Sequence, residues 1–231
     1  PDIFWQFREA VRGLADVARF MEIPVVSGNV SFYNESYGEA IYPTPVVGMV
    51  GIIGNMANRL TIGFPAEGLA VVIVGETRDE LGGSEYLKRI HGLVAGRPPS
   101  LDLRMEKNVQ ATCIEAIRLG LIQSAHDCSE GGAAVALLEC CCAGGMGANL
   151  EVEEEADPIY WLFSESQSRF VVTIEDKDLP SLEDLAVKRE VPYTVLGRVA
   201  GDRLKINDWI DLGIDEMSRS REKALDKTLA G

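Results

Sequence analysis

The sequence predicts an α+β fold arranged as two domains. Helical periods of apolar residues and short β-branched runs both occur along the chain, the two kinds do not alternate strictly, and no glycine fingerprint of a dinucleotide-binding fold is present. The composition turns polar and glycine-bearing over residues 77–84. We therefore expect a first domain over residues 1–78 and a second over residues 79–231.

The first domain is predicted to contain one helix followed by three strands. Apolar residues recur at helical spacing over residues 5–21, and a proline follows at position 24. Three later runs are short, rich in valine and isoleucine, and bounded by glycine, proline, asparagine or charge. They predict strands at residues 25–33, 45–53 and 69–75.

The second domain is predicted to mix helices and strands. Helices are expected at residues 101–119, 133–142, 179–189 and 214–229, and strands at residues 124–126, 169–174 and 193–199. Gly120 is expected to end the first of these helices, and Ser129 to cap the second. The second helix is nearly all apolar, so it should be buried on most sides.

Composition narrows the classes of partner. The chain has 231 residues, 36 acidic and 22 basic, for a net charge of -14, which repels nucleic acid and anionic membranes. No apolar run approaches the ~20 residues that span a bilayer. The five cysteines include three in a row, a spacing that favours reduced, packed thiols over disulfides or a zinc site. We expect a cytoplasmic protein without a signal segment, and a fragment of a longer one.

The chain lacks the sequence motifs that mark several common enzymatic mechanisms. The chain contains no GxxxxGK[ST], GxGxxG, HExxH or GxSxG motif. His91 and His126 are its two histidines, so a histidine acid or base must be one of these or come from outside the chain.

Residues 27–35 contain several polar side chains, although the composition of this segment otherwise predicts a buried strand. On a strand, Ser27, Asn29 and Ser31 would share one face. Gly28 would allow close approach of a ligand, Asn29 offers an oxygen suited to Mg²⁺, and a serine hydroxyl can donate to phosphate. The alternative is a polar sheet face in contact with solvent.

Two further segments carry polar groups beside predicted strands. His126-Asp127-Cys128-Ser129-Glu130-Gly131-Gly132 leads from a strand into the buried helix, so its main-chain N–H groups could bind an anion. The alternative is a capping loop in which His126 is structural. Residues 164–169, SESQSR, either line a pocket or form a turn.

Taken together, these segments resemble the phosphoribosylformylglycinamidine synthase (FGAM synthase) family. The resemblance rests on AVRGLADVARFMEIPVVSGNVSFYNE from Ala10, AIYPTPVVGMVG from Ala40, SAHDCSEGGAAVAL from Ser124 and FSESQSRF from Phe163. The wider superfamily includes aminoimidazole ribonucleotide synthetase, selenophosphate synthetase and thiamine monophosphate kinase. The resemblance implies the end of a dimerising α/β domain followed by a second, mixed-sheet α/β domain.

The resemblance also implies a function: a purine-biosynthesis ligase that converts formylglycinamide ribonucleotide to its amidine, with ATP and Mg²⁺ as cofactors. The implied partners are a glutaminase subunit, a small bridging subunit and an N-terminal half of the same protein. It implies that Gly28 contacts ATP, Asn29 ligates Mg²⁺ and Ser31 touches the substrate. No catalytic residue is expected in this chain, and the fragment alone is expected to be inactive. An auxiliary nucleotide site would comprise His126, Asp127, Ser129, Glu130, Gly131, Gly132, Glu165, Ser166 and Gln167.

Two alternatives stay open at this point. One is another ATP-dependent synthetase of the superfamily, such as aminoimidazole ribonucleotide synthetase. The other is a non-catalytic scaffold domain that binds a nucleotide.

Overall fold

The computed structural model of the chain describes residues 2–31, 35–41, 43–153 and 155–229, with side chains described up to residue 223. The chain forms two compact units, Pro1–Gly54 and Asn55–Gly231. This division differs from the predicted boundary at residues 78 and 79. The reason is the third predicted strand, which pairs with strands of the second unit because its apolar side chains are buried there.

The first unit begins with helix α1 (Asp2–Phe20), as its apolar period predicts. A short hairpin follows, in which β1 (Glu35–Ser36) pairs antiparallel with β2 (Glu39–Ala40). Tyr37 and Gly38 form its turn with φ of 56° and 83°, a conformation typical of two-residue hairpin loops.

The prediction of strands at residues 25–33 and 45–53 is wrong for the residues that the structure describes. Residues 25–31 and 45–53 are irregular, and residues 32 and 33 lie outside the described part. Val26, Val50 and Ile52 are 91%, 102% and 97% exposed. Valine and isoleucine favour a strand because they pack on neighbouring strands, and among its described residues this unit offers these segments no partner strand.

The second unit is built on a seven-stranded mixed sheet of order β4-β6-β3-β7-β5-β8-β9. The strands are β3 (Ala70–Val74), β4 (Ile122–Asp127), β5 (Ala148–Leu150), β6 (Phe170–Ile174), β7 (Tyr193–Val199), β8 (Arg203–Ile206) and β9 (Ile210–Gly213). Neighbours are antiparallel except β5 and β8. The helices are α2 (Glu85–His91), α3 (Leu103–Arg118), α4 (Gly132–Gly144), α5 (Pro158–Phe163), α6 (Leu179–Lys188) and α7 (Ile214–Leu229).

Helices cover both faces of this sheet, and the alternation of side chains along β3 defines the two layers. Val71 and Ile73 belong to the cluster formed with α4, α5 and α7, whereas Val72 and Val74 belong to the cluster formed with α3 and α6. The expected α+β class with a mixed-sheet second domain is confirmed.

The helix boundaries agree with most of the predicted signals. Asp102 begins α3 by accepting main-chain hydrogen bonds from Arg104 and Met105 at 2.8 and 3.0 Å, and Gly120 follows its end with φ of 73°. The expected cap of α4 is wrong. Gly131, not Ser129, is the N-cap residue, with no side-chain hydrogen bond of its own, and the Ser129 hydroxyl donates to Asp127 instead.

The five cysteines are free thiols, as their spacing predicts. Cys113, Cys128, Cys140 and Cys141 are buried, and Cys142 is half-buried. Burial raises the pKa of Cys113 and Cys141 to about 12 and that of Cys128 to about 11.

We expect a thiol-alkylating reagent at neutral pH to modify Cys142 at least ~100-fold faster than the four buried cysteines. The thiolate is the reacting form, and each unit of raised pKa lowers its population ~10-fold. Mass spectrometry of the labelled peptides over time tests this rate, with the denatured chain as control. Equal labelling of Cys113 and Cys142 in the folded chain would contradict the packing described above.

Candidate functional site

Three loops of the second unit meet beside the N-terminus of α4: residues 76–85, 127–132 and 164–168. Two serines join the first loop to the third. The Ser164 hydroxyl accepts from the Glu80 amide at 3.1 Å, and the Ser166 hydroxyl accepts from the Arg78 amide at 3.0 Å. Both serines are buried, so these bonds fix the third loop against the first.

Glu165, the residue between these serines, joins all three loops. Its Oε1 accepts from the Glu85 amide at 2.9 Å and from the Gly131 amide at 2.9 Å. Glu85 is the first residue of α2, and Gly131 precedes α4. A carboxylate is favoured at a helix N-terminus, where main-chain N–H groups lack helical acceptors. The chain's own carboxylate therefore takes the Gly131 N–H that the sequence suggested for an external anion.

The two glycines of this loop have positive φ, 83° at Gly131 and 70° at Gly132. A Cβ on Gly132 would lie 2.6 Å from the carbonyl oxygen of Ser164 and 2.8 Å from that of Leu162. The sequence suggested that the main-chain N–H groups of this loop could bind an anion. In the structure, Gly132 lets the end of α5 approach it instead.

His126 lies near the end of β4 and is held by a carboxylate. Its Nε2 lies 3.0 Å from Oε2 of Glu139, which also pairs with Arg221 at 3.1 Å. Its Nδ1 lies 3.4 Å from Oδ1 of Asp127 but lacks hydrogen-bond geometry, and Nδ1 has no hydrogen-bond partner in the described residues. These contacts connect His126 to α4 and α7. They favour the alternative in which His126 has a structural role.

The other residues of the predicted auxiliary site lie at the surface. Asp127, Ser129, Glu130 and Gln167 are exposed. The hydrogen bond from Ser129, more than the nearby imidazole, lowers the pKa of Asp127, although partial burial opposes this shift. The Gln167 amide nitrogen donates to the Glu165 carbonyl at 3.2 Å.

Sequence reasoning missed Glu80, which lies in the polar segment taken as a domain boundary. Its Oε1 accepts from the amide and the hydroxyl of Ser100 at 2.9 and 2.5 Å. Burial favours the protonated carboxyl, but hydrogen bonds from Ser100 and Ser166 and the charge of Arg78 together outweigh it and lower the pKa of Glu80. The nearby Arg78 guanidinium donates to Glu76 and Ser100. The signal that could have identified Glu80 from the sequence is a pair of oppositely charged residues, Arg78 and Glu80, in a turn that also contains glycine.

Gly28, Asn29 and Ser31 lie in the first unit, in the irregular segment before the hairpin, and all three are exposed. A Cβ on Gly28 would meet no atom within 4 Å. The shared strand face expected for these residues is therefore absent from this unit, because the segment is not paired into a sheet.

The described residues do not complete a magnesium site by themselves. Among them, no group of three or more histidine, cysteine, aspartate or glutamate side chains is placed to hold a metal. Asn29 supplies a single amide oxygen, whereas Mg²⁺ takes six oxygen ligands, several of them water. In the same part of the chain, no helix is both long enough and apolar enough to cross a bilayer.

Two sequence profiles match the two units. Residues 66–208 match the AIR synthase related protein, C-terminal domain, and residues 1–53 match the AIR synthase related protein, N-terminal domain. Strands β3 to β8 of the mixed sheet and the glycine-containing loop before α4 lie within the first of these matches. The chain belongs to the AIR synthase related protein family.

Its curated relatives narrow this class. The chain is 46% identical over 234 residues to the phosphoribosylformylglycinamidine synthase subunit PurL of Moorella thermoacetica, with 100% of this chain and 32% of the relative covered. It is 40% identical over 247 residues to PurL of Symbiobacterium thermophilum, with 97% of this chain and 32% of the relative covered. These relatives confirm the resemblance seen in the motifs, and the chain spans about a third of their length.

Solved structures show the same fold. Thermotoga maritima PurL complexed with FGAR matches with a TM-score of 0.60 and 21% identity, over 70% of this chain and 29% of that chain. Thermotoga maritima PurL complexed with ATP matches with a TM-score of 0.54 and 20% identity, over 69% and 27%.

Proposed function

We propose that the chain is the C-terminal part of a phosphoribosylformylglycinamidine synthase subunit. The observation that carries this proposal is the 46% identity to a PurL subunit along the whole chain. The full-length protein would act in the cytoplasm. It would use ATP to replace the amide oxygen of its formylglycinamide ribonucleotide substrate with an amidine nitrogen. ATP would phosphorylate the amide oxygen to give an imidate, and ammonia from a glutaminase subunit would attack its carbon and displace inorganic phosphate. A small bridging subunit would belong to the same assembly.

In this proposal the first unit contributes residues to the ATP site. Gly28 lies against ATP, Asn29 gives one oxygen to Mg²⁺ and Ser31 touches the substrate. The exposure of Gly28 and Asn29 supports the assignment, because a ligand can reach these two residues. The remaining magnesium ligands come from other parts of the full-length protein, so this chain alone is inactive. The ion would neutralise phosphate charge, and the chain would position the reactants.

Replacing Asn29 with alanine in the full-length protein is expected to lower turnover of ATP-dependent amidation by at least ~10-fold. Loss of a partner in a metal's outer shell already costs ~10–100-fold, and Asn29 is proposed as a direct ligand. Stability should change by less than ~0.5 kcal/mol, because the residue is exposed. Steady-state kinetics across magnesium concentrations and thermal melting test both expectations.

The matched control is Asn149→Ala, which removes an exposed asparagine from β5. It should leave turnover and magnesium dependence unchanged. If Asn29→Ala also behaves like the wild-type protein, Asn29 does not belong to the metal site.

A nucleotide-binding scaffold without chemistry of its own is the second candidate for these residues. Such a scaffold would not use the Gly131 N–H to hold the nucleotide, because the Glu165 carboxylate already accepts from it. Calorimetry separates the candidates. Magnesium-dependent ATP binding by the isolated chain favours a self-sufficient scaffold, whereas binding only by the full-length protein favours a shared catalytic site.

A further inference from the structure

Arg169 is a charged residue inside the core of the second unit. It directly precedes β6, is 1% exposed, and is the bulkiest of the fully buried side chains described. Burial lowers the pKa of its guanidinium, because the charged form loses hydration. A buried charge without a counter-ion is costly, so an apolar side chain would fill this space at lower cost.

The acceptors around Arg169 are all neutral. Its Nε donates to the Ser166 carbonyl at 3.0 Å, one terminal nitrogen to the Ser164 carbonyl at 2.6 Å, and the other to the Thr77 hydroxyl at 2.9 Å. No ion pair of Arg169 with a carboxylate is found among the described residues. The rigid fork of the guanidinium therefore fixes main-chain carbonyls rather than neutralising a charge.

The two carbonyls belong to the residues on either side of Glu165. Holding the chain at positions 164 and 166 fixes the backbone from which the Glu165 side chain extends. The same carboxylate contacts the Glu85 and Gly131 amides. A continuous set of contacts thus runs from buried Arg169 through residues 164–166 to the loop before α4.

We propose that Arg169 is a positioning residue that holds the Glu165 carboxylate against the Glu85 and Gly131 amides and so fixes the loop at residues 127–132. This positioning role does not depend on the function proposed above. Arg169 touches no ligand in this scheme and acts through Glu165.

The experiment compares Arg169→Met and Arg169→Lys in the full-length protein. Methionine approximates the length without charge, and lysine keeps the charge but loses the fork. Arg198→Met is the control, because Arg198 is an exposed arginine bonded to Asp176 and the Gly68 carbonyl. Hydrogen–deuterium exchange is followed in peptides containing Glu85 and Gly131, and β6 peptides report global opening.

We expect Arg169→Met to speed hydrogen exchange of the Glu85 and Gly131 amides by at least ~10-fold more than exchange in β6. Arg169→Lys should have a smaller effect on these two amides. Arg198→Met should have no effect on them. In an Arg169→Ala variant, free guanidinium at non-denaturing concentration should restore the slow exchange. A uniform rise across all peptides, or no rise at the two amides, overturns the positioning role.

One further measurement completes the test. In a Glu165→Ala background, adding Arg169→Met should give no further increase at Gly131, and an additive increase would show that Arg169 does not act through Glu165.

Discussion

Replacing Gly132 with alanine is expected to destabilise the second unit by about 2–5 kcal/mol. A non-glycine residue at a φ of 70° costs ~1–2 kcal/mol. The added Cβ would lie 2.6 and 2.8 Å from two backbone oxygens, which cannot move aside as a flexible side chain would. Overpacking of this kind adds ~1–3 kcal/mol. Equilibrium unfolding in urea measures the sum.

Gly145→Ala at the other end of α4 is the matched control. Gly145 has a similar φ of 66°, but a Cβ there would meet no atom within 4 Å. It should therefore cost only the backbone term of ~1–2 kcal/mol. Equal losses from the two substitutions would show that Gly132 is needed for its φ and not for the close approach of residues 162–164.

Replacing Glu165 with alanine is expected to cost about 2–3 kcal/mol of stability at neutral pH. The substitution leaves the Glu85 and Gly131 amides without their acceptor, and each buried unsatisfied donor costs ~1–3 kcal/mol. The side chain is only half-buried, so water should compensate for part of the loss. Denaturant unfolding monitored by circular dichroism gives the value.

Glu165→Gln tests the same contact without removing the acceptor. Its amide oxygen can still accept from both main-chain donors, so the loss should be less than half of that for alanine. Glu130→Ala, which removes an exposed carboxylate near the same helix end, should cost less than ~1 kcal/mol. A Glu165→Ala protein as stable as Glu130→Ala would show that the bridge between α2 and α4 contributes little.

The elements predicted correctly are those whose signal is local and strong. The run at residues 69–75 is rich in valine, and it forms the fully buried strand β3. The helix at residues 101–119 was identified from its period, and Asp102 and Gly120 mark its ends in the structure. Burial of residues 133–142 likewise followed from their unbroken apolar character, and α4 lies in the core.

The elements missed or misplaced depend on distant partners. β5, β8 and β9 are only three or four residues long, so their alternation is too short to identify. They form because they pair with other strands of the sheet: β5 pairs with β7 and β8, which are remote in sequence, and β9 pairs with β8. The segments at residues 25–33 and 45–53 carry strand-like composition, yet their described residues stay irregular because composition does not supply a partner strand.

The sequence by itself determined the fold class, the strongest helices and strands, the free cysteines and the family, since each depends on residue type and spacing along the chain. Only the tertiary structure decided what the polar motifs contact. Glu165 meets amides 80 and 34 positions away, and Arg169 reaches Thr77 across 92. Such contacts follow from how the sheet and its helices pack, because a hydrogen-bond donor takes the acceptor that folding brings near it, and periodicity carries no information about that choice.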